Sequence, residues 1–202
     1  MKTNKEKIVA KIRRAPKGTL FSLKDFQSIG EYGAIKKVIL GLVKEGALIH
    51  VYNGIYQKPN YSDFLKVNVS ASPREIAEKY AKKNQWEIAP AGVMALNILG
   101  LDTQVPNTYH YISDGPTREI ELKNGKKIKY RHVQEKDIKM SRTSSLVIEA
   151  LKQLGRENIT DYDLAKIKSK LDDEKMKQLR KDSTQSRVWI RDAIKKMEDL
   201  NV

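Results

Sequence analysis

Three groups of residues in this chain have types and spacings that could do chemistry. Asp114, followed by Glu121-Leu122-Lys123, mimics the acidic pair and lysine of a metal-dependent nuclease, in which the carboxylates hold Mg²⁺ and the lysine orients the attacking water. The same pattern fits a turn aspartate and alternating charges on an exposed strand face, and it recurs easily when 32% of residues are charged. A nuclease is therefore an alternative and not the expected function. His110 and His132 could lie on facing strands, but a metal site needs three or four ligands and no third is suitably spaced, so both are expected to be polar strand residues. The third group is basic and aromatic: Lys24, Tyr32, Gly33, Lys36, Lys37, His50, Tyr52 and Asn53. These are residue types that neutralise phosphates, line a nucleic-acid backbone or touch base edges.

The elements that must position this third group are legible from periodicity. Ile8, Val9 and Ile12 place apolar groups on one face of a short helix that Pro16-Lys17-Gly18 stops. Thr19 to Phe21 reads as a brief extended piece, and Ser22 with Asp25 is a capping arrangement that opens a second short helix through Phe26. From Glu31 to Lys44 the spacing Ile35, Val38, Ile39, Leu42, Val43 is a helical stripe that leaves Gly33, Lys37, Gly41 and Lys44 opposite, with Ala34 and Lys36 on the flanks. Two extended runs, Leu48 to Tyr52 and Ile55 to Lys58, are joined by Asn53-Gly54, a strong hairpin signal. Helix, short strand, helix, tight turn, helix, hairpin is the order of a winged helix-turn-helix. There the third helix enters the major groove and the hairpin lies over the adjacent backbone. Gly33 would permit close approach, Lys36 and Lys37 would meet phosphates or guanines, and Lys24, His50, Tyr52 and Asn53 would contact or line the backbone.

Charge agrees with that placement. The 202 residues carry 39 Lys and Arg against 25 Asp and Glu, a net of +14. Residues 1–62 hold 12 basic and 4 acidic side chains, whereas 63–140 hold 13 and 10 and 141–202 hold 14 and 11. More than half the excess thus lies in under a third of the chain, which ties the expectation of an anionic partner to the first segment. The lack of cysteine excludes disulfide scaffolds, thiolate metal sites and Cys nucleophiles. No Walker loop, dinucleotide fingerprint, Gly-x-Ser-x-Gly elbow or His-Glu-x-x-His is present, so neither cofactor nor metal is expected and no enzyme class has positive support. Met1 to Arg14 is too charged for a signal peptide, and Ile88 to Leu101 is too short to span a bilayer; a cytoplasmic protein with no membrane partner is expected.

Beyond Pro59-Asn60-Tyr61-Ser62, where turn-formers cluster, Ser72-Pro73-Arg74-Glu75 predicts a helix start with a capping box, and the helix runs to about Asn84. Ala91 to Leu99 reads as a further helix, with Val93, Leu96 and Leu99 in the core together with Trp86 and Trp189. Thr108 to Ile112, Arg118 to Leu122 and Lys126 to Val133 read as strands, the last two joined by Asn124-Gly125. From Ser141 the pattern is helical, with a stop at Gly155 and a restart at Thr160. The expected fold class is α+β: a winged helix-turn-helix over 1–62, then a mixed α+β domain over 63–202 with a helical tail from about 141.

Several blocks in order resemble the AbiEi-type antitoxins, transcriptional regulators of type IV toxin–antitoxin and abortive-infection modules. They are Phe21-Ser-Leu-Lys-Asp-Phe26, Gly30, Leu42-Val-Lys-Glu-Gly46 and Gly54-Ile-Tyr56, then Pro90 to Pro106, Tyr111 to Arg118 and Leu146 to Gly155. The resemblance implies a winged-helix domain that binds the operon's own promoter DNA as a repressor. It also implies a C-terminal domain that counters a cognate nucleotidyltransferase-like toxin. The chain departs from the family, which tends to carry Arg at these places, with Ile49, His50 and Asn53 in the wing and Tyr32 and Gly41 in the helix; the departure bears on which bases are read, not on docking. A protein-binding antitoxin whose winged helix touches no DNA is the principal alternative.

Overall fold

The computed structural model describes residues 2–200 and divides into two compact units, one ending at Gln85 and one beginning at Trp86. The architecture is α+β.

In the first unit, α1 (Asn4–Arg14) starts on a Thr3–Glu6 capping box and buries Ile8 and Ile12. β1 (Leu20–Ser22) leads into a 3₁₀ turn, Leu23–Phe26, closed by Ser22 and Asp25. The anticipated stripe forms α2 (Tyr32–Lys44), which buries Ile35, Ile39 and Leu42 against Phe21, Phe26, Leu48 and Tyr56. β2 (Ile49–Tyr52) and β3 (Ile55–Gln57) form the hairpin around Asn53-Gly54, and β3 is the central strand of an antiparallel sheet ordered β1-β3-β2. A second, two-stranded hairpin follows, β4 (Tyr61–Ser62) and β5 (Val67–Asn68), across residues with no strand signature of their own.

The expected boundary at residue 62 falls inside this unit. α3 (Pro73–Asn84), opened by the Ser72–Glu75 capping box, packs on β1 and β3 and buries Ile76, Ala77, Tyr80 and Ala81. Its Lys79 bonds Asp25 of the 3₁₀ turn at 2.6 Å. The helix thus covers part of the sheet that the shorter segment would leave open. With it the unit holds 17 basic and 7 acidic side chains.

The second unit is built on a four-stranded sheet ordered β6-β7-β9-β8. Its strands are β6 (Ile88–Pro90), β7 (Thr108–Ser113), β8 (Arg118–Glu121) and β9 (Lys127–His132). β8 and β9 form the hairpin foreseen at Asn124-Gly125, while β7 and β9 pair in parallel from Thr108↔Lys127 to Ser113↔His132. Trp86 lies over Gly115, where a Cβ would sit 2.3 Å from the ring, and meets Tyr130 edge-on. The short α4 (Val93–Leu99) follows β6, and α5 (Glu135–Ile138) follows β9.

α6 (Arg142–Leu154), α7 (Asp161–Lys168), α8 (Asp173–Asp182) and α9 (Val188–Asp199) complete the chain. They are no detached tail. Ala95, Leu96 and Leu99 of α4 share one core with Val147, Leu151, Leu164, Leu179, Ile190 and Ile194, and Trp189 packs against it. Among the described residues no helix is long and apolar enough to cross a membrane.

Candidate nucleic-acid interface

The outward face of α2 is set by what the helix must bury. With Ile35, Ile39 and Leu42 committed to the core, successive steps of 100° place Tyr32, Lys36, Leu40, Gly33, Lys44 and Lys37 within one arc of roughly 140°. All six are exposed, Tyr32 at 66% and Leu40 at 43%. A Cβ at Gly33 or Gly41 would meet nothing within 4 Å, so this side can be approached to backbone distance. Lys36, Lys37 and Lys44 have no ion-pair partner among the described residues. At the start of α2, Glu31 makes no side-chain cap and the first turn holds no acid, so no capping side chain occupies the first N–H groups.

Each remaining candidate has a definite place. Lys24 is exposed on the 3₁₀ turn. Beside it, burial pushes the Asp25 carboxyl up. Hydrogen bonds from Lys79 and the Ser22 N–H, with the Lys79 charge, outweigh that and hold it below the ordinary carboxylate range. This acid is consumed inside the unit and does not offset the basic face. His50 is exposed, with its ring 5.5 Å from that of its cross-strand partner Tyr56. Burial, and to a smaller degree the nearby Tyr32 phenol, pushes Tyr56 up.

Tyr52 is oriented differently from the expectation, and Asn53 is engaged through its backbone only. Tyr52 is half-buried, edge-on to Tyr80 of α3 at 5.8 Å, and the Asn53 carbonyl accepts a bond from Lys83 Nζ at 2.8 Å. Packing on α3 turns the Tyr52 ring toward its own unit, and the exposed Asn53 side chain is what the hairpin tip offers outward. Sequence reasoning selects neither Leu40 nor Lys44 as a contact, yet the four-residue spacing 32, 36, 40, 44 marks one ridge. Tyr80 and Lys83 carry no local signal, because their role arises only when α3 folds back.

The two catalytic alternatives are not assembled. The strand register sets Glu121 opposite Lys127, which pairs with Thr108, while Asp114 follows the other end of β7. Six residues of strand separate those levels, about 20 Å. Asp114 instead accepts the Glu87 N–H at 2.9 Å, and Lys123 lies in the β8–β9 turn region. His110 pairs with Lys129 and His132 with Ser113, an odd number of positions apart, so the histidines occupy opposite faces of the sheet. Among the described residues no group of three His, Asp or Glu could hold a metal.

One further concavity, a cleft of about 440 Å³ in the second unit, is lined by Gly92, His110, Lys129, Arg131, Glu149 and Lys152. Burial, with the Lys129 charge added and Glu119 opposing, lowers the His110 pKa. The cations are engaged by the unit's own carboxylates: Arg131 and Lys152 with buried Glu149 at 3.0 and 2.9 Å, and Lys129 with Glu119 at 3.6 Å. This is a structural ion-pair network joining β9 to α6.

The fold and site define an α+β chain of two compact units, the first with an outward basic helix face. The chain belongs to DUF6088, a family of unknown function, which it matches over residues 7–179. No curated protein matches its sequence. Its fold is similar to the crystal structure of RV2827C protein from Mycobacterium tuberculosis, at 12% identity and a TM-score of 0.50, covering 95% of this chain and 74% of that one.

Proposed function

We propose that the protein is a sequence-specific double-stranded DNA-binding repressor in which α1, the 3₁₀ turn, α2 and the β2–β3 hairpin act as a winged helix-turn-helix. The observation that carries this reading is the outward arc of α2. It joins three unpaired lysines, an exposed tyrosine and leucine and the open Gly33 on a helix whose opposite face is the core. Phosphates would be met by Lys36, Lys37, Lys44 and Lys24 and by the first N–H groups of α2, and base edges by Tyr32 and the centre of the ridge. The chemistry is binding without catalysis. In a mobility-shift titration with the DNA upstream of its own gene, engagement of about six phosphates gives a slope of log affinity against log salt on the order of −5. A flat salt response overturns the reading.

The ordered blocks shared with AbiEi-type antitoxins support a further role as the antitoxin of a type IV module. A downstream nucleotidyltransferase-like reading frame would be toxic when expressed alone and harmless when this chain is co-expressed. Toxicity undiminished by co-expression overturns this role without touching DNA binding.

A further inference from the structure

The β4–β5 hairpin presents an apolar tip to solvent. Phe64 is 93% exposed, Leu65 58%, Val67 53% and Tyr61 46%. Single exposed apolar residues are ordinary, but the register sets Tyr61 and Val67 on opposite faces of this hairpin and leaves adjacent Phe64 and Leu65 as an apolar pair at its tip. The element is firmly rooted. Gln57, 2% exposed, donates its side-chain amide to the Val69 carbonyl at 3.0 Å and accepts the Ala71 N–H at 3.1 Å. Val69 N–H reaches the Asn60 carbonyl at 2.8 Å. At the tip Leu65 N–H meets Ser62 Oγ at 3.2 Å, and Lys66 takes a left-handed backbone, φ +56°. The patch is thus held out from the unit by its own hydrogen bonds.

Charge decides what it meets. The tip reads Asp63-Phe64-Leu65-Lys66, and neither Asp63 nor Lys66 makes an ion pair among the described residues. An opposite charge at equal distance on each side of an apolar pair is self-complementary about a two-fold axis between Phe64 and Leu65. We infer that the β4–β5 hairpin joins two copies of this chain tip to tip. Phe64 of each copy packs against Leu65 of the other, and Asp63 of each copy faces Lys66 of the other. Nucleic acid is a poorer match, because Asp63 would oppose a phosphate. Gln57, where the hairpin is rooted, also lies at the end of β3 away from the Asn53-Gly54 turn. The pairing stands whether or not the chain binds DNA.

Sedimentation or light scattering of the full chain tests this. Over about 1 to 100 µM, the range of a weak reversible dimer, the mass rises from 23.1 kDa toward twice that value. Phe64→Ser stays at the monomer mass with an unchanged thermal melt, because the side chain packs on nothing in its own unit. Asp63→Lys or Lys66→Asp alone weakens the dimer about tenfold, since symmetry places two like-charge contacts in each dimer; the double reversal restores it. A wild-type chain that remains monomeric at the highest concentration overturns the inference. So does a dimer indifferent to Phe64→Ser, or a double reversal no tighter than the single ones.

Discussion

Lys83 of α3 donates its ammonium to the carbonyl of Asn53, 30 residues earlier, at 2.8 Å, and the same Nζ sits 5.5 Å from the centre of the Tyr80 ring. The tip of the β2–β3 hairpin is thereby fastened to the last helix of its own unit. Gly54 makes the approach possible: its φ is +70°, and a Cβ there would lie 2.8 Å from Lys83 Nζ.

Gly54→Ala should therefore destabilise the protein by about 1–2 kcal/mol, from left-handed backbone strain plus displacement of the lysine. The two parts separate in a double-mutant cycle followed by denaturant unfolding. In a Lys83→Ala background only the backbone cost remains, so Gly54→Ala becomes less damaging there. Strict additivity would mean that the lysine does not hold the turn.

Lys36 and Lys37 test the outward arc of α2. Both are exposed and no carboxylate neutralises them, so Lys36→Glu with Lys37→Glu leaves unfolding unchanged and reverses four units of charge where the proposal places phosphate. Shift assays should show affinity for upstream DNA lost and any neutralisation of a toxin retained. Loss of both activities in a folded variant would argue against separate functions for the two units.

What could be read in advance follows the range of the interactions. The α2 stripe, the Ser22–Asp25 and Ser72–Glu75 boxes and the Asn53-Gly54 and Asn124-Gly125 turns are local, and each lies where spacing and turn chemistry place it. The β4–β5 hairpin has two-residue strands and an αL lysine where glycine would be the usual signal, so only the turn-formers at Pro59 to Ser62 stand out in this stretch. The parallel β7–β9 pairing is long-range, and with the β8–β9 register it separates Asp114 from Glu121. For the site, Lys36 and Lys37 follow from helical period. The inward turn of Tyr52 depends on Tyr80, 28 positions later, and no local pattern announces it.

Asp25 predicts a pH dependence. Its folded pKa lies below the ordinary value through the Lys79 and Ser22 contacts, so the stability it contributes is fully present above the unfolded carboxylate pKa and is lost as pH falls through the folded one. Asp25→Asn should be less stable than wild type at neutral pH by about 1.5–3 kcal/mol, the range for a hydrogen bond to a charged group, and should show a flatter acid limb. Denaturant midpoints from neutral pH down to the acid range provide the measurement. Parallel acid limbs in the two proteins would show that the Lys79–Asp25 contact does not set this behaviour.

Glu149 offers a test of the second unit, because its carboxylate is nearly buried while its partners are not: its side chain is 6% exposed, against 57% for Arg131 and 39% for Lys152. Lys152 lies one helical turn away on α6 and reaches Glu149 locally, whereas Arg131 comes from β9 and is the partner that ties sheet to helix. Removing Arg131 leaves a desolvated carboxylate with one cation, yet more than half of the Arg131 side chain already faces water. Arg131→Ala should therefore cost about 1–2 kcal/mol, below the penalty for breaking a fully buried pair. Glu149→Leu removes the buried charge itself and should be close to neutral, since a buried ion pair seldom outperforms an apolar side chain of similar volume. Denaturant unfolding of the two variants ranks these costs. The opposite order, Glu149→Leu the more damaging, would show that the carboxylate makes a net contribution beyond offsetting its own desolvation.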